Sequence, residues 1–377
     1  MVAVNEMKEL IKRIISPEKR RAILEFLNRF WVGFCSKLSV KDRVCFYTIR
    51  ENGALLDNAG ALYDALGCKK VIFAAKLPHS NLQKVKAYYL LMTSKVIVTD
   101  DYCRYMRVIK LKESQFLMQI WHGCGAFKKF ALDAKTDISE EEDRKSHTQY
   151  GAVAVTSEYA RKVFAGAFGI DEKICIATGL PKTDIIINNH EKLRDEFFAA
   201  HPSLNGKTIY LYCPTFREKD GQKCVYDPGI DFDALSGNLS SDEIFIISRH
   251  PLADYEFTKK DYPNIKDMTE CSTLSLVSAA DVVITDYSSV AHDATLCGTP
   301  MVFYCPDVSE YERGFYLKFP DDLPGEMTKN PEELLPLIRQ AKEKPPLDRI
   351  ERFRLEQLGA CDGKSTGRLA DIIRAHL

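Results

Sequence analysis

The chain has 377 residues, 45% of them hydrophobic and 28% charged, with a formal net charge of −1. That balance fits a globular protein of two domains and removes the global basic field that nucleic-acid binding needs. The 12 cysteines are scattered with no C-x-x-C pair, and the eight histidines do not cluster with them. This speaks against a zinc site and for reduced, mostly buried thiols in a cytoplasmic protein. No apolar run reaches the roughly 20 residues of a membrane-spanning helix, and the amino terminus lacks the pattern of a cleavable signal.

Residues 5–38 read as helix in two pieces, broken at Ser16-Pro17. The second piece mixes Lys19, Arg20, Arg21, Arg29 and Lys37 with Ile23, Leu24, Phe26, Leu27, Phe30, Trp31, Val32 and Phe34. Such a helix can lie on an anionic membrane surface or pack on its own domain with a solvated basic face.

Strands and helices then alternate. Strands are expected at 44–49, 71–74, 95–99, 116–120, 152–155 and 174–176, with helices at 55–66, 81–92, 158–168 and 184–199. The polar, turn-rich stretch 201–206 reads as a linker. A second series follows, with strands at 208–212, 243–247, 282–285 and 301–304 and helices at 291–296 and 332–342. Pro345-Pro346 breaks the last of these, and 347–377 is mainly helical. The alternation predicts two parallel, doubly wound α/β domains facing a cleft.

The strand ends carry the chemistry. Val282 to Thr285 runs into Asp286-Tyr287-Ser288-Ser289, where two hydroxyls and backbone N–H groups meet a helix start, a ready anion site. An ordinary capped turn has the same pattern. The neighbouring ends carry Thr215 with Arg217, and Arg249 with His250; guanidinium and imidazole can meet phosphate oxygens, or the arginines can sit in surface ion pairs. Asp286 reads as the residue that holds its turn, and Asp293 as one that reaches a ligand hydroxyl or solvent. His292 reads as non-catalytic. Trp121-His122-Gly123-Cys124-Gly125 follows another strand end. A histidine there can take a proton from an attacking hydroxyl, and the glycines allow close backbone approach. Lys128 and Lys129 can face phosphate, lipid headgroup or solvent. Neither a G-x-G-x-x-G nor a Walker loop is present, and no ligand set supports a metal or another cofactor.

Taken together these stretches resemble the CDP-glycerol glycerophosphotransferase family of teichoic acid primases and polymerases. The matching segments are 119–123, 178–184 (Thr-Gly-Leu-Pro-Lys-Thr-Asp), 213–217, 249–251, 284–289, 300–304 and 362–364 (Asp-Gly-Lys). The resemblance implies a GT-B-like fold: an amphipathic segment at 1–40, an acceptor domain at 41–200, a CDP-donor domain at 201–345 and helices at 346–377. It implies transfer of a polyol phosphate from CDP-glycerol or CDP-ribitol to a lipid-linked saccharide at the inner membrane face, with CMP leaving. By the same carry-over, His122 is the general base and His250 stabilises the leaving group. Thr215, Arg217, Arg249, Asp286, Ser288, Ser289 and Asp293 fall on the donor side, and Trp121, Gly123 and Lys128 on the acceptor side. A nucleotide-sugar glycosyltransferase on the same fold, and a non-catalytic precursor-binding module, remain as alternatives.

Overall fold

The computed structural model describes residues 16–49, 54–74, 80–134, 138–219, 222–250, 260–309, 311 and 314–377. The expected helical piece before Ser16 lies outside these residues. Helix α1 (Pro17–Lys37) starts where the sequence predicts: Ser16 Oγ accepts from Lys19 N, and Pro17 takes the first helical position, where no N–H is needed. Its last turns rest on the helix Asn81–Thr93 of the first half, with Trp31 Nε1 donating to Val85 O at 2.9 Å. Earlier along α1, Phe26 and Phe30 are 67% and 66% exposed, with Ile23, Leu24 and Leu27 exposed beside them.

The first half contains β1 (Lys41–Thr48), α2 (Asp57–Ala65), β2 (Lys70–Ala74), α3 (Asn81–Thr93), β3 (Ser94–Thr99) and β4 (Phe116–Gln119). It continues with α4 (Glu140–His147), β5 (Ala152–Val155), α5 (Glu158–Phe168), β6 (Cys175–Ala177) and α6 (Pro181–Ala200). The strands lie in the order β2-β1-β3-β4-β5-β6, all parallel. α6 begins a turn earlier than the sequence reading has it. Pro181 is pre-set for a helix start, so Gly-Leu-Pro leads into the helix directly.

The second half runs β7 (Thr208–Cys213), a small β8–β9 hairpin (Arg217–Lys219, Gln222–Cys224), α7 (Phe232–Asn238), β10 (Glu243–Ile247) and β11 (Ile265–Asp267). After these come α8 (Thr273–Ala279), β12 (Val282–Thr285), α9 (Val290–Cys297), β13 (Met301–Tyr304), β14 (Glu326–Thr328) and α10 (Leu334–Glu343). Its parallel sheet has the order β11-β10-β7-β12-β13-β14. The strand β12, Val-Val-Ile-Thr, is buried along its whole length, as a parallel strand covered on both faces must be. In both sheets the strand order reverses beside the first strand, which opens a crevice at the carboxyl ends.

Two closing helices, α11 (Leu347–Leu358) and α12 (Ser365–Ala375), do not stand apart. Leu369, Ala370 and Ile373 of α12 share a core with Val44, Phe46, Val96 and Met118 of the first sheet. Asp184 on α6 fixes the start of α12, its carboxylate accepting from Ser365 N at 2.9 Å and from Thr366 N and Oγ1 at 2.7 Å. The chain therefore returns to its first half.

The halves meet at a buried polar seam. Lys182 Nζ on α6 pairs with Asp293 Oδ2 on α9 at 2.8 Å. Burial draws the Lys182 ammonium down, but Asp293 outweighs it and holds the charge; burial pushes the Asp293 carboxyl up against the pull of Lys182. Gly125, at φ +60°, lies so close to His292 that a Cβ would sit 2.2 Å from Nε2. Across the same seam Ala126 N donates to Gln357 Oε1 at 2.8 Å, and Thr156 Oγ1 donates to Gln357 O at 2.6 Å. Lys129 N donates to Gly314 O at 3.1 Å, and Tyr316 N donates to Phe127 O at 3.0 Å.

Two buried histidines are neutral here. His292 is fully enclosed, and neither ring nitrogen has a partner in hydrogen-bonding geometry, although Ser289 and Gln357 lie near. Burial pushes it down to about 4. His147, between Asp143 and Tyr150, is pushed down to about 3 by burial, with Arg107 adding to the effect. Unfolding frees both rings to an ordinary value of about 6.5. Stability is therefore complete above that pH and is lost as pH falls toward the depressed values. At pH 5 the linkage loss is about 2 kcal/mol for each histidine. Urea unfolding between pH 7 and 5 should show it as uptake of close to two protons on unfolding; a flat profile would contradict the neutral burial of these rings.

Candidate active site

Each turn of the first half delivers one piece of a histidine site. β4 ends at Gln119, and Trp121 turns the chain with φ +46°, a left-handed value that costs a bulky residue ~1–2 kcal/mol. The turn throws His122 outward, while the Trp121 ring goes inward among Tyr102, Phe130 and Phe168. The His122 side chain is 43% exposed and its ring stacks on Trp121 with centroids 4.5 Å apart. Its Nδ1 sits 3.1 Å from the Asp100 carbonyl and 3.5 Å from Asp101 Oδ2, both at the end of the adjacent strand β3. A hydrogen on Nδ1 satisfies the carbonyl and leaves Nε2 with its lone pair free. Asp101 stands where it would stabilise the imidazolium. Sequence reasoning gives Asp100 and Asp101 no part; the available signal is that they follow the strand at 95–99, which directly precedes the histidine strand in a parallel series.

Trp121, expected on the acceptor side, is 6% exposed; it is the bed on which the imidazole lies, not a surface. Gly123 is half-buried, and a Cβ there would come to 3.8 Å from the Trp121 indole, an ordinary contact. Lys128 is half-buried, its Nζ 5.2 Å from the Tyr311 ring centroid, and its backbone bridges to Phe315 of the second half.

In the second half, β10, β7 and β12 are neighbours, so their three polar ends come together as expected. They divide into two kinds. Asp286 is fully buried and accepts from Thr215 N at 3.0 Å, Thr215 Oγ1 at 2.6 Å, Tyr287 N at 2.5 Å and Arg217 Nη1 at 2.8 Å. Arg217 also makes a fork onto Asp307, at 2.6 and 3.0 Å, and lies over the Tyr226 ring at 4.1 Å. Burial pushes the Asp307 carboxyl up, but the Arg217 bonds prevail and hold it below its ordinary value. With two carboxylates on one guanidinium, Arg217 has no charge left for a phosphate. Thr215, Arg217 and Asp286, expected on the donor side, thus form a mutually bonded frame at the strand ends. Asp293, expected to meet a ligand hydroxyl or solvent, is buried and paired with Lys182 instead of facing solvent.

The second kind stays open to the cleft. Ser289 is exposed and Ser288 half-buried at the start of α9; Ser288 Oγ accepts from Val290 N at 3.3 Å, and the Ser289 side chain makes no capping bond. His250 is half-buried and lies against Phe216, with ring centroids 4.6 Å apart. Arg249 is tied to Asp267 at 2.9 Å. Pro251 is outside the described residues. Gly125 lies three residues after His122, and His292 three after Ser289; since Gly125 and His292 are in contact, the histidine turn and the start of α9 border one crevice.

The segments 178–184 and 362–364 lie close to each other. Flanking residues hold them together: Arg368 donates to Thr178 O at 2.7 Å, Asn188 Nδ2 to Gly363 O at 2.9 Å, and a Cβ on Gly179, at φ +71°, would strike Ser365 Oγ. Among the described residues no group of three or more ligating side chains could hold a metal.

The family described as CDP-Glycerol:Poly(glycerophosphate) glycerophosphotransferase matches residues 34–375. The teichoic acid ribitol-phosphate primase of Bacillus spizizenii is 33% identical over 302 residues, covering 77% of each chain. The teichoic acid glycerol-phosphate primase of Bacillus subtilis is 30% identical over 306 residues, 77% of this chain and 76% of that one. Against the teichoic acid poly(ribitol-phosphate) polymerase of B. spizizenii, 33% identical over 298 residues, the chain spans about half of the relative's length, 47%. Among solved structures, the wall teichoic acid polymerase TagF superposes with a TM-score of 0.74 at 20% identity, covering 99% of this chain and 97% of that one. At that identity the likeness establishes the GT-B-like, two-sheet fold. Taken with the match along nearly its whole length, the chain belongs to the CDP-glycerol:poly(glycerophosphate) glycerophosphotransferase family, a family of transferases.

Proposed function

We propose that the chain transfers a polyol phosphate, glycerol phosphate in the first place, from a CDP-alcohol to a hydroxyl of a lipid-linked saccharide, releasing CMP. The observation that carries the mechanism is the anchored His122, with Nδ1 on the Asp100 carbonyl and Nε2 free. Nε2 takes the proton from the acceptor hydroxyl as its oxygen bonds to the phosphorus that bears the polyol. The bond from that phosphorus to the oxygen bridging the two phosphates breaks, and the electron pair leaves with CMP. The hydroxyls of Ser288 and Ser289 hold the non-bridging oxygens, at a helix start that favours negative charge. His250, with Arg249 beside it, offers a donor to the departing phosphate. Closing the cleft around these groups excludes water and limits hydrolysis of the donor.

CMP release from CDP-glycerol and from CDP-ribitol, with and without a synthetic lipid-linked disaccharide, tests this reading. Release should depend on the acceptor, and His122→Ala should lower it about 10²–10⁴-fold, the range for loss of a general base. Turnover untouched by that substitution, or turnover of sugar nucleotides alone, would overturn it.

The lipid acceptor gives α1 a task. No helix among the described residues is long and apolar enough to cross a membrane. The exposed Phe26, Leu27 and Phe30, with Lys19, Arg29 and Lys37 on the same helix, suit the interface of an anionic bilayer at its inner face. The protein should sediment with vesicles containing phosphatidylglycerol and far less with phosphatidylcholine alone. Phe26→Glu with Phe30→Glu should abolish the difference while leaving the melting temperature in place; unchanged sedimentation would remove α1 from this role.

A further inference from the structure

The strained turn that presents His122 is held at both of its peptide groups by buried amides. Gln119 Oε1 accepts from Trp121 N at 2.9 Å, and Gln119 Nε2 is itself tied to the Asp101 carbonyl at 3.1 Å and to Tyr150 Oη at 3.0 Å. On the other side Asn58 Nδ2 donates to Trp121 O at 3.0 Å. That oxygen belongs to the peptide unit that leads directly into His122. Asn58 is 1% exposed, on α2, and its Oδ1 accepts from Lys182 N at 2.8 Å. The Lys182 N–H is one of the first-turn donors of α6, which have no partner inside their own helix. The same Lys182 pairs through Nζ with Asp293 on α9, the helix whose start carries Ser288 and Ser289.

From this geometry we infer that Asn58 is a positioning residue for His122: one carboxamide fixes the carbonyl of the strained Trp121 peptide and, through Lys182, ties it to the helix on the donor side of the crevice. The chemistry selects asparagine. The site asks for a donor toward one carbonyl and an acceptor toward one N–H, about a side chain's width apart. An aspartate in its place would keep the acceptor and set a carboxylate oxygen against the Trp121 carbonyl. A leucine there would leave both backbone groups buried without partners. A residue held at φ +46° persists only where its surroundings over-determine it. Here the ring is packed, the N–H is bonded to Gln119 and the C=O is bonded to Asn58, so releasing the last lets the peptide rotate and carries the imidazole with it. Asn58 touches neither the donor nor the acceptor in this scheme. It acts through His122, and the inference rests on the reading of His122 as the base.

A double-mutant cycle with Asn58→Asp and His122→Ala, read as acceptor-dependent CMP release from CDP-glycerol, tests the inference. Asn58→Asp alone should lower kcat about 10²-fold, the cost of a misplaced catalytic group, with the KM for CDP-glycerol within about twofold of wild type. Added to His122→Ala it should lower the rate no further, because there is no base left to misplace. An equal fold-loss in both backgrounds, or wild-type kcat in Asn58→Asp, would overturn it. If Asn58→Asp does not fold, Asn58→Ser takes its place in the cycle. Imidazole ¹H–¹⁵N spectra separate this inference from the function it rests on. Were His122→Ala fully active, the base would fall; a shifted His122 signal in folded Asn58→Asp would still uphold the clamp, and an unmoved one would remove it.

Discussion

A charge pair buried between two domains is an unfavourable way to obtain stability, since desolvation takes back much of the Coulomb attraction. Its value lies in the penalty for separation. If the halves slid apart at the Lys182–Asp293 contact, an ammonium and a carboxylate would each be left in a poorly solvated seam. The contact therefore fixes one relative placement of α6 and α9, with less tolerance than an apolar seam of equal area would have. The crevice inherits that placement. The histidine turn packs on α9 at Gly125, and the start of α9 supplies the serine hydroxyls. Neither wall is positioned by loops alone.

The polar strand ends show how a parallel α/β scaffold divides its side chains between framework and chemistry. Asp286 lies at the point where the strand order reverses, with four hydrogen bonds drawn from three residues. Arg217 spans two carboxylates and an aromatic face. These groups are nearly as charged as any ligand site, yet their charges are spent on one another. The residues that stay exposed or half-exposed beside them are modest: two serine hydroxyls and two imidazoles. A strongly polar cluster at a switch point can thus be the mount of a site.

Most of this architecture was legible in the chain. Runs such as Val282–Thr285 and Met301–Tyr304 are apolar and β-branched or aromatic enough to be strands, and they are. The parallel alternation follows from the helices between them. His122, Ser288 and Ser289 could be singled out because glycine or a helix start follows a strand end. What could not be read was which carboxylate faces which cation. Sequence gives Asp293 and Arg217 their type and spacing and leaves ligand, solvent and ion pair open, because their partners Lys182 and Asp307 lie 111 and 90 residues away. Asn58 was invisible for the same reason: a lone asparagine near a helix start reads as local capping, and its two bonds run 63 and 124 residues along the chain. The Thr-Gly-Leu-Pro-Lys-Thr-Asp and Asp-Gly-Lys segments were recognisable as two of the matching stretches, but not as neighbours held together by the residues that flank them.

The return of the chain to its first half has a mechanical consequence. The second sheet is, in topology, an insertion: the polypeptide goes out to it after α6 and comes back before α12 packs beneath the first sheet. A body tethered by one linker can tumble about any axis. A body tethered at both ends swings most easily about the line joining its two attachment points, as a door does on two hinges. Should the seam part, that line is the easiest axis of swing, and it is set by where the last helix docks.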